Sequence, residues 1–282
     1  MRIKECFEEY RRQHLENNTV SPKRALRAWD VLSPHIGHLQ TAKLKERPLQ
    51  DYQRQRKWDG VSTTTINREL GVLRAALNWC FKQQLIDKVP YIPNQPSFRR
   101  RERVLTKQEV AQLMAAATTV PYVYKFFMLA LFTGQRREAI LGLTWDRVDM
   151  VRKTIEFNDP DLAMAARRKG RAHVPIHPKL FIMLEQLSKY QTCDYVVDNK
   201  GRDVPSTTLQ YGWTKVRKLA DLGPEVTPHI IRHTVATDQI GKGVSLEFVA
   251  QLLGHKSTHT TESVYVKRNP AHLVGTIDQM DY

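Results

Sequence analysis

The chain has 282 residues, 41% of them hydrophobic, and 44 Lys+Arg against 29 Asp+Glu give a formal charge of +15. That length and apolar content fit one or two packed domains and exclude wholesale disorder, and the charge points to a polyanionic partner, nucleic acid before an acidic membrane surface. Cys6, Cys80 and Cys193 lie far apart with no Cys-x-x-Cys pair, the N-terminus lacks the apolar core of a secretory signal, and the apolar stretch at 120–132 is short and carries Lys125, so a zinc finger, a disulfide scaffold, an export signal and a bilayer span are all disfavoured. A reducing, cytoplasmic setting is expected.

The first hundred residues hold 19 Lys+Arg against 10 Asp+Glu, and the remainder 25 against 19, so both parts are basic and the charge is not confined to a tail. In this first part, residues 22–32 read as a helix with Ala25, Ala28, Trp29 and Leu32 inward. Residues 43–58 are basic and poorly patterned. Ile66, Leu70, Leu73, Leu77 and Cys80 recur at steps of four and three, one face of a helix, with Thr63 to Thr65 as candidate N-caps. An all-helical domain over residues 1–92 follows. Pro90, Pro93 and Pro96, followed by the basic run 99–103, mark a linker at 93–103.

The second part, 104–282, mixes types. Residues 107–117 read as a helix capped by Thr106, with Glu109 at capping-box spacing. Residues 122–132 are apolar nearly all round, as in a buried helix. Segments 147–150, 154–157 and 173–176 have strand character, with 159–172 as a hairpin loop. Helices are expected again at 178–187, from Pro228 with Thr227 as N-cap, at 246–253 and at 260–266. Leu141, Leu143 and Trp145 read as core. The expected fold is mainly α: an N-terminal all-helical domain and a C-terminal mixed domain with a small antiparallel sheet.

Single motifs carry little weight, because a His-x-x-Arg pair arises by chance in a chain this rich in both. Their order carries more. Thr133-Gly134-Gln135-Arg136 comes first, then Lys169-Gly170-Arg171, then Pro228-His229-Ile230-Ile231-Arg232-His233. Leu252-Leu253-Gly254-His255 follows, and Tyr265 stands ten residues later inside Thr260-Thr261-Glu262-Ser263-Val264-Tyr265. Over most of 104–270 this set resembles the tyrosine recombinase (phage integrase) family, and the helical first part is similar to that family's core-binding domain.

The resemblance implies a site-specific recombinase that cleaves and rejoins DNA strands through a 3′-phosphotyrosine intermediate and a Holliday junction. Arg136 and Arg232 would clamp the two non-bridging phosphate oxygens with charge-assisted hydrogen bonds. Tyr265 would be the nucleophile, its phenol needing a base because its free pKa is about 10. His229, near a helix start whose dipole disfavours imidazolium, would take that proton. Lys169, on the hairpin, would protonate the 5′-oxygen leaving group, and His255 would bond the phosphate or support the site. His233 reads as structural. No cofactor, metal or ATP is implied. Implied partners are double-stranded DNA at specific recombination sites, a homotetramer on that DNA, and accessory DNA-bending or directionality proteins, with no membrane. The segment 269–282 would dock on a neighbouring protomer, or pack on its own domain through Leu273, Val274 and Ile277.

Two departures stand out. The family often has an acidic residue three positions after the first arginine. Here that position is Ala139, with Glu138 one earlier and about 100° away on a helix. With a linker near residue 90, an additional arm-type domain is not expected, as in the simpler two-domain recombinases. A type IB topoisomerase is the alternative with the same chemistry, and a non-catalytic DNA-binding protein on a recombinase scaffold is the alternative of another class.

Overall fold

The computed structural model describes residues 1–19, 22–96, 103–158, 170, 172–255 and 257–265, with backbone alone at 260 and 263–265. The chain divides into two compact units, Met1–Arg100 and Arg101–Tyr282. Together they form a mainly helical protein with one small sheet.

In the first unit, α1 (Ile3–Tyr10) runs through a wider π-type stretch, Arg11–Leu15, into the single turn α2 (Glu16–Asn18). Next come α3 (Pro22–Ile36), α4 (Glu46–Trp58) and α5 (Thr63–Lys82). The four-and-three face of α5 is the centre of the core: Ile66, Leu70, Leu73, Leu77 and Cys80 are fully buried, and α1 and α3 pack on it. Phe7 stacks on Trp29 with ring centroids 4.1 Å apart, joining α1 to α3. Cys6 and Cys80 are buried free thiols, and Cys80 Sγ donates to the Cys6 carbonyl at 3.3 Å.

Three sequence expectations change here. The N-cap of α5 is Ser62, whose hydroxyl accepts the Thr65 amide, not one of Thr63 to Thr65. The α3 helix continues four residues past Leu32, through Pro34, because a proline near a helix end forfeits a single backbone hydrogen bond and Ile36 seals the last turn in the core. The poorly patterned segment folds as α4. Its buried face is narrow (Leu49, Tyr52, Gln53), and part of what it buries is polar. Arg56 donates to Glu69 at 2.8 Å, and the Tyr52 hydroxyl donates to the same carboxylate at 2.6 Å. A hydropathy pattern cannot register a helix anchored by a buried ion pair. The chain after α5 also lies on it: Arg74 donates to the Ile92 carbonyl (2.9 Å), and the Asn67 amide pairs with the Gln95 backbone through both N–H and C=O.

In the second unit, α6 (Lys107–Ala117) carries the expected Thr106–Glu109 capping box. It leads into α7 (Pro121–Thr133), the helix with buried residues on most of its faces, and then α8 (Arg137–Leu141). Strands β1 (Val148–Asp149), β2 (Thr154–Glu156) and β3 (His173–Pro175) form an antiparallel sheet in the order β1-β2-β3, with Val148 opposite Ile155 and Ile155 opposite Val174. Leu141 and Leu143 are buried, and Trp145 packs against the same core. Then follow α9 (Pro178–Ser188), α10 (Ser206–Leu219), α11 (Pro228–Gly241), α12 (Leu246–Leu253) and α13 (Thr258–Tyr265).

Neither α1 nor α10 is among the helices expected from the sequence. The latter is fixed by Trp213, fully buried with its indole N–H donating to the Val226 carbonyl at 2.8 Å. Thr227 occupies the N-cap position of α11, but its side chain makes no capping hydrogen bond there. Most of the expected hairpin loop at 159–172, Lys169 included, and the whole segment 269–282 lie outside the described residues. No described helix is long and apolar enough to cross a membrane.

Candidate active site

Four pieces of chain meet in the second unit: the turn after α7, the first half of α11, the turn after α12, and α13. The turn after α7 depends on Gly134, a left-handed C-cap at φ +62°. A Cβ added there would sit 2.9 Å from Leu253 Cδ2, so a side chain would have to displace Leu253 as well as adopt a strained backbone conformation. The buried Gln135 then reaches across to donate to the Leu252 carbonyl at 2.5 Å. That contact clamps the turn to the end of α12. Arg136 comes next as the N-cap residue of α8, partly buried, and its Nη1 donates to the carbonyls of Gly170 and Gly254.

Arg232 is buried on α11. Its Nη1 donates to the Gly134 carbonyl at 2.9 Å, and its Nη2 stands 2.7 Å from His255 Nε2. His255 follows Gly254, the left-handed C-cap of α12 at φ +63°. Its second ring nitrogen, Nδ1, lies 2.7 Å from the hydroxyl of Thr261, which is fully buried on α13. A guanidinium has no acceptor, so Nε2 must accept from Arg232. A neutral imidazole carries one N–H, so that proton sits on Nδ1 and the Thr261 oxygen accepts it. Burial first, and then the positive charges of Arg232 and Arg136, lower the His255 pKa to about 4. The ring is therefore neutral near pH 7, as its hydrogen bonds require.

His229 is solvent-exposed one turn before His233, and the two rings meet edge-to-face with centroids 4.7 Å apart. His233 is buried, in keeping with a packing role. Tyr265 is the last residue of α13, so its backbone lies one helical turn beyond the Thr261 anchor.

The Ala139 departure has a structural counterpart. Ala139 is buried, whereas Glu138 is exposed and accepts hydrogen bonds from Arg137 and from Ser206 on α10. No carboxylate from α8 supports Arg136. Main-chain oxygens of Gly134, Gly170 and Gly254 are among the groups that accept from the two guanidiniums, and a glycine carbonyl is invisible to any search for charged side chains. Two further contributors escaped the sequence reading. Gln135 stands inside the first motif, and Thr261 stands four residues before Tyr265, a spacing that puts both on one turn of the same helix.

Arginines can stabilise the charge that develops on phosphate oxygens, and a neutral histidine between Arg232 and Thr261 can fix one of them in place. Residues 103–272 match the model of the Phage integrase family. The chain is 26% identical over 220 residues to the tyrosine recombinase XerC of Pediococcus pentosaceus, covering 72% of this chain and 71% of that protein. It is 28% identical over 221 residues to the tyrosine recombinase XerA of Thermococcus kodakarensis, covering 73% of each. Among solved structures, the Tn1549 transposon integrase in complex with transposon right end DNA superposes with a TM-score of 0.83 at 16% identity over 99% of both chains. A lambda integrase dimer bound to a core site superposes with a TM-score of 0.73 at 16% identity, over 92% of this chain and 97% of that one.

Proposed function

The chain belongs to the phage integrase family, and we propose that it is a site-specific DNA recombinase whose Tyr265 attacks a backbone phosphate with Arg136, Arg232, His229, His255 and Lys169 serving that reaction. The observation that carries this reading is the meeting of Arg136, Arg232 and His255 around the Gly134 and Gly254 carbonyls, with α13 hydrogen-bonded to His255 through Thr261.

In this scheme the Tyr265 phenolic oxygen forms a bond to phosphorus as the bond to the 5′-oxygen breaks. One phosphodiester replaces another, so the covalent link conserves the energy needed for religation and no nucleotide is consumed. Arg136 and Arg232 stabilise the charge on the non-bridging oxygens. His229, exposed at the start of α11, accepts the phenolic proton, and Lys169 returns a proton to the departing oxygen. His255, neutral and bonded at both nitrogens, holds Arg232 and transfers no proton to the reacting groups. Reversal with a strand from a second duplex exchanges partners through a Holliday junction. The same reading makes the working assembly a tetramer on two DNA sites in the cytoplasm, with accessory proteins setting direction.

The test is a covalent trap. The protein is incubated with nicked duplexes covering the region that flanks its own gene and run on a denaturing gel. The expected result is a protease-sensitive shifted band that maps to Tyr265 by peptide mass and disappears in Tyr265→Phe, while the native-gel complex persists. A retarded native complex with no covalent band would overturn the proposal in favour of binding alone.

A further inference from the structure

The chain from Arg232 through His255 to Thr261 joins two helices that are distant in sequence, and its Arg232 end has one chemical option, which fixes the role of the Thr261 hydroxyl at the other. Arg232 can only donate, and the Thr261 hydroxyl is fully buried with the Nδ1 nitrogen 2.7 Å away. An imidazolium would point an N–H at a guanidinium N–H, and the opposite neutral tautomer would do the same. Only the Nδ1–H neutral form satisfies both contacts, and it needs an acceptor at the position Thr261 occupies. We propose that Thr261 is a positioning residue for strand cleavage: its hydroxyl accepts the Nδ1 proton, locks His255 as the acceptor for Arg232, and so couples the seating of α13, which carries Tyr265, to the seating of Arg232. This rests on the recombinase reading given above.

The low His255 pKa agrees with such a lock, since it keeps the ring neutral through the physiological range. The geometry around it agrees as well. The Gly254 carbonyl accepts from Arg136, and Gln135 holds the Leu252 carbonyl, so the turn that presents His255 is already fixed on its other side. Thr261 supplies the matching tie to α13, whose eight residues make it too short to hold a helical conformation without tertiary contacts.

The test compares Thr261→Val, which keeps the shape and removes the hydroxyl, with Thr261→Ser, which keeps the hydroxyl. On the nicked duplexes, Thr261→Val is expected to cleave roughly 10- to 100-fold more slowly, the scale of a reacting group displaced by about 1 Å. DNA affinity should stay unchanged, the melting temperature of Thr261→Val should fall by roughly a few degrees because the buried Nδ1–H loses its acceptor, and Thr261→Ser should restore most of the rate and of the melting temperature. Side-chain ¹⁵N NMR of the DNA-free protein is expected to show His255 as the Nδ1–H tautomer in the wild type and a mixture in Thr261→Val. Wild-type cleavage by Thr261→Val, equal losses in both variants, or an Nε2–H signal from wild-type His255 would each overturn the proposal. Tyr265→Phe separates the two levels of inference. An adduct that persists in Tyr265→Phe defeats the recombinase site itself, whereas an inactive Tyr265→Phe beside a fully active Thr261→Val defeats only the role of Thr261.

Discussion

Acidification should destabilise this protein through one buried-site histidine, and the effect can be isolated. The His255 pKa falls from its ordinary 6.5 to about 4, because burial and the charges of Arg232 and Arg136 disfavour the imidazolium. Between those values the unfolded chain binds a proton at this position that the folded chain refuses. Stability from this site is therefore complete above about pH 6.5 and is lost as the pH falls towards 4. A shift of that size corresponds to roughly 3 kcal/mol at about 1.36 kcal/mol per pKa unit. The ring is only partly buried, so solvent screening reduces the expected loss to about 1–2 kcal/mol. His255→Gln removes the titration while leaving an amide oxygen that can accept from Arg232. Urea unfolding of both proteins at several pH values from 4 to 7.5 gives the difference in stability. The wild type should lose about 1–2 kcal/mol relative to the variant as the pH falls through this window. A difference that stays flat, or an NMR titration placing the His255 midpoint near 6.5, would refute the reasoning.

Two further outcomes follow from the packing. Glu69→Ala leaves Arg56 without its partner at 2.8 Å and the Tyr52 hydroxyl without its acceptor. Because Arg56 is only partly buried and keeps Asp59 at 3.3 Å, the loss should be about 1–3 kcal/mol, the scale of a lost charge-assisted hydrogen bond and an orphaned buried hydroxyl, read as a fall in the urea midpoint of the first unit, and an unchanged midpoint would contradict it. Gly134→Ala combines left-handed strain with a Cβ 2.9 Å from Leu253 Cδ2 and should cost ~2–4 kcal/mol. Because the Gly134 carbonyl accepts from Arg232, the same variant should slow adduct formation on nicked duplexes, and a variant as stable and active as the wild type would contradict the packing argument.

Features that depend on neighbours three or four residues away were legible in the chain's residue order. The period of α5 was legible because one apolar face repeats along it, and the start of α6 because Thr106 and Glu109 close a capping box within one turn. The three strands were legible from their short β-prone runs, and the order of the arginine, histidine and tyrosine motifs marked the family. Tertiary structure alone decided the rest. The hidden face of α4 rests on an ion pair with a residue of another helix. Glu138 turns to Ser206 on α10 rather than to Arg136, whose Nη1 donates to backbone carbonyls. The tautomer and low pKa of His255 arise from Arg232, 23 positions away, and from burial that exists only after α7, α11, α12 and α13 have packed. Charge and desolvation act through space, so chain order could name the groups around the site but could not assign their protons.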